Sequence, residues 1–327
     1  MSGPVPFEQF MEAALYGPQG FYTSTGSAGR RGDFLTSPEV GPLFGAVVAR
    51  HLDAEWRRIG RPDEFTVVDA GAGPGTLARS IAAAAPECAA AMRYVAVEVS
   101  EAQRSRHPEG IESLAELPDG PFDGVILANE LLDNLPFRVA VFDQGWREAF
   151  VESAADGELT ERLSATFDPV PRVLPVRGSL GARAPLCDRA ADWVVDARSR
   201  LASGSVLVID YGVALTAELA MRPWRDWLRT YRNNERGDHY LRAPGTQDIT
   251  TDVPFDQLPE PDSLRTQAQF LQLRGIDDLV EEGKRTWVEQ ASRPGLEAMK
   301  MRSRISESEA LLDLDGLGSF LVAEWRA

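Results

Sequence analysis

The sequence predicts an α/β protein built on a mostly parallel sheet. Apolar, strand-like runs alternate with helix-like segments between residues 65 and 128, and such alternation is typical of parallel strands joined by right-handed crossovers. A fully apolar run at residues 205–209 ends in Asp210, as a buried parallel strand would. The heptapeptide DAGAGPG at residues 69–75 follows the first of these strands and precedes a helix. Together these patterns predict a sheet with ligand-binding turns at its carboxyl edge.

The N-terminal segment, residues 1–62, is predicted to be a helical extension that also carries a lid. Apolar residues between Phe7 and Leu15 recur at helical spacing, and residues 26–33 are predicted to form a mobile loop. A second helix is predicted to begin with Ser37 as its N-cap and Pro38 at its first position, and to run towards Ile59. We expect residues 20–45 to close over a ligand and exclude water.

The remaining chain is predicted to complete the core around one insertion. Strands are expected at 65–69, 93–98 and 122–128, with a helix at 75–85 and a short element near 110–114. A β-hairpin at 137–168 is predicted to lie on this core, followed by a helix at about 185–202. The expected domains are a core at 63–212, an insertion over the active site at 213–262, and a C-terminal completion of the core at 263–327, with a last strand at 319–325.

Composition bounds the class of protein and its partners. The 327 residues are 43% hydrophobic and 26% charged, which is ordinary for a globular protein. No run approaches 18 uncharged apolar residues and no signal segment is visible, so we expect neither a membrane span nor secretion. Cys88 and Cys187 have no metal-ligand spacing and are expected to be free thiols in a reducing cytoplasm; we expect no metal. The net charge of −16 argues against nucleic acid and suits a basic peptide.

The glycine turn and a second acid predict the cofactor. The spacing is G-x-G-x-G behind Asp69, and Thr76 stands where the dinucleotide fingerprint G-x-G-x-x-G would have its third glycine. A second apolar run ends in Glu98, where a carboxylate can bind both ribose hydroxyls. This pairing resembles the class I S-adenosylmethionine (SAM) methyltransferases, which have a Rossmann-like fold; the alternative is a purely structural turn in another fold. Candidate SAM-binding residues are Asp69, Gly71, Gly73, Gly75, Glu98, Val99, Leu114 and Asn129.

Candidate catalytic residues follow the strand at 122–128. Glu130 and Asp133 are three residues apart, so on a helical turn they would share a face. Two carboxylates beside the cofactor suit a guanidinium, which carboxylates bind bidentately. The alternative, equally supported by spacing, is that Glu130 caps or pairs with a neighbouring helix while Asp133 lies on the surface. Candidate substrate-binding residues are Asp33, Tyr211 and His239.

Longer motifs resemble the MidA-type methyltransferases over nearly the full length of the chain. They are LYGPQGFY at 15–22, GDFLTSPEVGPLFG at 32–45, ANELLDNLP at 128–136, IDYG at 209–212, LRTYR at 228–232, PGTQDIT at 244–250 and QAQFL at 267–271. Mitochondrial members of that family are complex I assembly factors that dimethylate an arginine, so the resemblance implies a protein substrate of that kind. The chain departs from the family at Thr251-Asp252, where Ala-His is frequent.

The expected reaction is in-line attack of a substrate nitrogen on the methyl group of SAM, with Glu130 polarising the guanidinium and Asp133 assisting. One alternative is a small-molecule or carboxyl methyltransferase that keeps the SAM site. A second alternative is an assembly chaperone that has lost turnover. The sequence leaves monomer and homodimer open.

Overall fold

The computed structural model describes residues 3–24, 36–154, 157–232, 235–290 and 295–327. They form two compact units. The sheet unit comprises Leu35–Glu130, Ala197–Tyr211 and Pro261–Ala327, and the accessory unit comprises Met1–Phe34, Leu131–Asp196 and Gly212–Glu260. Within these described ranges, every helix is too short or too polar to cross a membrane.

The helices are named in chain order. They are α1 (Phe7–Tyr16), α2 (Phe21–Ser24), α3 (Ser37–Val40), α4 (Pro42–Arg58), α5 (Thr76–Ala84), α6 (Glu101–Arg104), α7 (Asp188–Ser199), α8 (Thr216–Met221), α9 (Gln267–Leu273), α10 (Ile276–Gln290) and α11 (Leu296–Leu312).

The strands are named in the same way. They are β1 (Val5–Pro6), β2 (Phe65–Ala70), β3 (Met92–Val97), β4 (Glu112–Leu114), β5 (Phe122–Asn129), β6 (Arg138–Phe142), β7 (Trp146–Ser153), β8 (Leu159–Thr166), β9 (Arg183–Leu186), β10 (Leu201–Asp210), β11 (Gly212–Val213), β12 (Leu228–Arg232), β13 (Glu235–Arg236), β14 (Asp248–Thr251), β15 (Val253–Pro254), β16 (Ser263–Thr266) and β17 (Leu321–Arg326).

The sheet unit is built on seven strands in the order β16-β17-β10-β5-β2-β3-β4. Neighbours from β10 to β4 are parallel, whereas β17 is antiparallel to both β10 and β16. Six strands therefore run in one direction and β17 in the other. The predicted α/β class with a mostly parallel sheet is confirmed, and so is the final strand near residue 321.

The core of this unit explains why β2 has no alternating pattern. All six of its residues are buried, because helices must cover both faces of a parallel sheet. Leu43 and Phe44 of α4 lie in the same apolar cluster as Phe65 and Val67 of β2. The predicted lid is therefore wrong over residues 36–45, which include α3 and the start of α4 and contribute Leu43 and Phe44 to the buried core. Residues 25–35, which include the predicted mobile loop and Asp33, lie outside the described residues.

The helix predicted from Ser37 to Ile59 is divided. Helix α3 ends at Val40, Gly41 is extended, and α4 begins at Pro42. Proline has no N–H to continue the hydrogen-bond ladder of a helix, which favours a new start there. Ser37 is not the N-cap as predicted: it is the first helical residue, is fully buried, and its hydroxyl donates to Oε1 of Gln267 at 2.9 Å.

The accessory unit contains the predicted β-hairpin. Strands β6 and β7 pair antiparallel, with Ala140 opposite Glu148, and β1, β8 and β9 extend them to five strands. The inserted region adds the sheet β13-β12-β14 and the pair β11-β15. Residues 1–62 do not form one extension, since α1 belongs to this unit and α4 to the sheet unit. The hairpin is likewise grouped apart from the parallel sheet. Cys88 and Cys187 are both buried free thiols, as predicted.

Candidate functional site

The glycine turn connects β2 to α5 in a backbone conformation that favours glycine. Gly71, Gly73 and Gly75 have φ values of +74°, +53° and +78°, and only glycine adopts this region routinely. The N–H groups of Gly71 and Ala72 donate to the carbonyl of Val97 at 2.9 and 3.0 Å, which fixes the turn to β3. No atom lies within 4 Å of the position that a Cβ on Gly73 would take. The backbone of Gly73 is therefore open to close approach by a ligand.

Glu98 lies beside this turn, at the end of β3. Its Oε2 accepts the N–H of Gly73 at 3.0 Å and its Oε1 accepts the N–H of Ser100 at 2.9 Å. An ionised carboxylate has about four acceptor positions, so two backbone donors leave capacity for two ribose hydroxyls. The other predicted residues on this side differ in exposure: Val99 is exposed, and Leu114 is half-buried with its carbonyl accepting the N–H of Glu98 at 3.0 Å.

Asp69 has a different environment from Glu98. Its side chain is buried inside β2 and accepts a hydrogen bond from the hydroxyl of Tyr94 on β3 at 2.9 Å. Burial raises the pKa of Asp69 to about 6; the Tyr94 hydrogen bond opposes this shift and the charge of Glu98 adds to it. The hydrogen bond between Asp69 and Tyr94 therefore joins β2 to β3 just before the glycine turn. Sequence reasoning missed Tyr94, because a tyrosine on a buried strand is expected to be a packing residue.

Glu130 follows β5 in a strained conformation. Its φ is +53°, and an ordinary residue is held there only where the surrounding structure imposes it. The N–H of Glu130 donates to the carbonyl of Ile209 at 2.8 Å. Its Oε1 accepts from Nδ2 of Asn129 at 3.0 Å and from the N–H of Ser37 at 3.4 Å. Because Ser37 begins α3, the predicted capping alternative is present as a long contact.

The pairing of β5 with β2 places Glu130 near the glycine turn. Ala128 lies opposite Ala70, the residue before Gly71, so Glu130 and the turn share the carboxyl edge of the sheet. Oδ1 of Asn129 is buried and has no hydrogen-bond partner among the described residues. A buried acceptor of this kind fits a ligand that brings a hydrogen-bond donor.

Glu130 and Asp133 do not share a helical turn, contrary to the sequence prediction. The backbone of Glu130 has the left-handed conformation, and the short 3-10 helix Leu132–Asn134 begins only after it. Asp133 belongs to the accessory unit, is buried, and accepts a hydrogen bond from Oγ1 of Thr250 at 2.5 Å. The surface alternative for Asp133 is also wrong. Hydrogen-bond partners distant in sequence override the i,i+3 pattern here.

A half-buried polar network next to Asp133 was missed from the sequence. Oδ1 of Asp248 accepts from the hydroxyl of Tyr22 at 3.0 Å, from Nδ2 of Asn134 at 3.1 Å and from the N–H of Ile249 at 2.9 Å. Burial raises the pKa of Asp248 to about 7, and the charge of Asp133 contributes to the shift. The PGTQDIT motif at 244–250 was the only available signal, since it contains both Asp248 and Thr250.

The predicted substrate-binding residues belong to different parts of the fold. The ring of Tyr211, after β10 in the sheet unit, packs edge-on to Phe320 at 5.5 Å. His239, in the accessory unit, lies 4.1 Å from the ring of Tyr240 and has a pKa lowered by burial and by the charge of Arg225. Asp33 lies outside the described residues. In the part of the chain that the structure describes, no group of three His, Cys, Asp or Glu is placed to hold a metal ion.

Asp252, at which the sequence departs from the family pattern, has ion-pair partners in the structure. Asp252 is buried and forms ion pairs with Arg229 at 2.7 Å and with Arg222 at 3.1 Å. Thr251 is fully buried beside it. A carboxylate between two guanidinium groups is already satisfied electrostatically. The aspartate that stands in place of the family's frequent histidine is therefore paired with two arginines of the accessory unit.

Comparison with known proteins identifies the family. A model of S-adenosyl-L-methionine-dependent methyltransferases matches residues 47–302. The chain belongs to this family. SAM is therefore the cofactor, and the predicted MidA-type resemblance is confirmed. The open Gly73, the carboxylate of Glu98 and the buried acceptor on Asn129 fit such a ligand.

Two curated relatives illustrate the similarity. The mitochondrial protein arginine methyltransferase NDUFAF7 homolog of Drosophila melanogaster is 28% identical over 296 residues, which is 78% of this chain and 65% of the relative. The human mitochondrial protein arginine methyltransferase NDUFAF7 is 26% identical over 299 residues, 79% of this chain and 65% of the relative. The chain thus spans slightly less than two thirds of either relative. Both relatives are mitochondrial, which contradicts the cytoplasmic location expected from the sequence.

A solved structure supports the fold and the cofactor. A Burkholderia thailandensis protein crystallised with S-adenosyl-homocysteine superposes with a TM-score of 0.83 at 26% identity, covering 99% of this chain and 88% of that protein. This match confirms the predicted class I, Rossmann-like fold.

Proposed function

We propose that this methyltransferase transfers the methyl group of SAM to an arginine nitrogen of a protein substrate. The observation that carries the proposal is the carboxylate of Glu130, which a strained backbone holds at the same sheet edge as the glycine turn. The names of the relatives support the acceptor, since both are protein arginine methyltransferases. The net charge of −16 suits a basic protein segment.

Three residues at the sheet edge would bind SAM. Glu98 and the backbone of Gly73 would hold the ribose side of SAM, and the side-chain oxygen of Asn129 would accept a hydrogen bond from the cofactor. Bound SAM supplies an activated methyl group on sulfonium. The protein therefore has to orient the acceptor, exclude water and stabilise charge.

Glu130 would bind the guanidinium. Arginine remains protonated in proteins, and a carboxylate binds it through paired hydrogen bonds. The carboxylate of Glu130 would draw the positive charge of the guanidinium to the nitrogens that face it. The remaining nitrogen would therefore be more nucleophilic. When the N–C bond forms and the S–C bond of SAM breaks, the guanidinium would give up one proton, and Glu130 would accept it and pass it to solvent.

Asp133 has a supporting role in the proposal. Its hydrogen bond to Thr250 holds the segment after Glu130 against β14. We expect its loss to disturb the acceptor site less than the loss of Glu130, because Asp133 already has this internal partner.

The experiment has two stages. Labelled SAM is first incubated with the protein and a cell extract, and label on protein is expected; label confined to small molecules would support the alternative of a small-molecule acceptor. Single-turnover transfer is then measured with the unmethylated form of the substrate that the label identified. Glu130→Gln should lower the rate about 100- to 1,000-fold, as for loss of one positioned charge in a transition state, and Asp133→Asn should lower it less.

The matched control is Glu101→Gln, which removes an exposed carboxylate of the same unit and should transfer at the wild-type rate. Affinity for S-adenosyl-homocysteine should persist in Glu130→Gln. A Glu130→Gln rate within a few-fold of wild type would refute the arginine mechanism.

A further inference from the structure

Both peptide groups that flank Gly73 are held by side chains from outside the turn. On one side, the N–H of Gly73 donates to Oε2 of Glu98 at 3.0 Å. On the other side, the carbonyl of Gly73 lies 2.8 Å from Nε2 of His107. His107 follows α6 and is half-buried. The sequence alone assigned no role to His107.

The hydrogen-bond partners of His107 determine its tautomer. A carbonyl oxygen can only accept, so Nε2 carries the proton and donates to Gly73. Nδ1 lies 2.8 Å from Oγ of Ser113 on β4, and in the neutral ring it accepts the proton of that hydroxyl. Ser113 thus orients the ring, and the ring orients the peptide between Gly73 and Pro74.

The segment around His107 also packs directly on the turn. A Cβ on Gly75 would lie 2.8 Å from Cδ of Pro108 and 3.5 Å from Cδ2 of His107. The first of these distances is below normal contact, so the residue after His107 leaves no room for a side chain at Gly75. The hydrogen bond from His107 is therefore one part of a close fit between this segment and the turn.

We infer that His107 is a positioning residue for the cofactor. It holds the Gly73 peptide in the left-handed conformation that leaves the Cα of Gly73 open. A turn that leaves this conformation part of the time binds more weakly, since the apparent affinity falls with the binding-competent fraction. The inference rests on the SAM cofactor of the family and is independent of the methyl acceptor.

The test is calorimetric titration of the full chain with S-adenosyl-homocysteine, without any acceptor. His107→Ala should weaken binding about threefold to tenfold, the factor that corresponds to one net hydrogen bond. His107→Gln places an amide N–H near the position of Nε2 and should restore most of the affinity. His107→Asn places its amide near Nδ1 and should not. Ser113→Ala should weaken binding about twofold.

Ser105→Ala is the matched control, because it removes a side-chain hydrogen bond to a carbonyl in the same segment, that of Ala102 at 2.9 Å, without contact to Gly73. It should bind at the wild-type affinity. Melting curves without ligand establish that each variant is folded. Wild-type affinity in His107→Ala, or equal affinity in the Gln and Asn variants, would overturn the inference. If His107→Ala does not fold, the comparison of Gln with Asn decides the same question.

Discussion

Two acids placed at strand ends by the same sequence pattern differ in what they contact. Asp69 is buried and bonded to Tyr94, whereas Glu98 is half-buried and accepts two backbone N–H groups at the turn. A carboxylate paired inside the sheet stabilises strands, and one at the turn can still bind a ligand. At the residue scale, Glu98 is therefore the acid that we expect to contact the cofactor.

The change Glu98→Ala should weaken binding of S-adenosyl-homocysteine by about 1.5–3 kcal/mol, the range for loss of a hydrogen bond to a charged group. Calorimetry measures the affinity, and Glu101→Ala, which removes an exposed acid, is the control. Undiminished affinity in Glu98→Ala would exclude a ribose contact by this residue.

At the scale of elements, β14 is joined by polar contacts to two other segments of its unit, α2 and the 3-10 helix Leu132–Asn134. Asp248 at the start of β14 accepts from Tyr22 of α2 and from Asn134 of the 3-10 helix, and Thr250 donates to Asp133. The raised pKa of Asp248, about 7 against an ordinary value of 3.8, shows that burial disfavours its charged form. The stability that this carboxyl contributes is present at low pH and is lost as the pH rises through about 7.

Asp248→Asn keeps the oxygen that accepts all three hydrogen bonds and removes the ionisation. The wild type should therefore lose thermal stability between pH 6 and pH 8 more steeply than the variant, by at least about 2 °C in Tm, which corresponds to roughly 1 kcal/mol in a chain of this size. Melting curves from pH 5 to 9 measure this difference. Asp226→Asn, at an exposed position, is the control, and its Tm should change with pH as that of the wild type does. The same dependence in Asp248→Asn would contradict the explanation by ionisation of Asp248.

At the scale of the whole molecule, the family match and the strand order agree. Antiparallel β17 lies between β10 and β16, and the turn has the spacing G-x-G-x-G followed by Thr76. A dinucleotide fold would carry a glycine at position 76 for close packing of helix on strand. The chain should therefore select SAM and its product over NAD.

S-adenosyl-homocysteine at 100 times its Kd should stabilise the sheet unit by about 2.7 kcal/mol, the mass-action value for a ligand that binds only the folded state. NAD at the same concentration should leave Tm unchanged. Thermal melts with each ligand make the comparison, and adenosine serves as a control for the shared nucleoside. A larger shift with NAD would be incompatible with the family assignment.

The sequence by itself determined the order of strands and helices between residues 65 and 128, the turn at 69–75 and the acids at the strand ends. These follow from apolar periodicity, from the need for positive φ in the turn, and from the length of each run, all of which are local properties. The family motifs added the cofactor. The hydrogen-bond partners of individual side chains could not be predicted from the sequence, as Ser37, Tyr94 and His107 illustrate.

Only the tertiary structure decided what each acid touches. The partners of Glu130 and Asp133, Ser37 and Thr250, lie 93 and 117 residues away along the chain, so no local pattern could name them. The left-handed backbone of Glu130 separates it from the 3-10 helix and breaks the predicted i,i+3 pair. Local propensity fixes elements because it acts over a few residues, whereas burial and hydrogen bonding between distant segments fix the chemistry of their side chains.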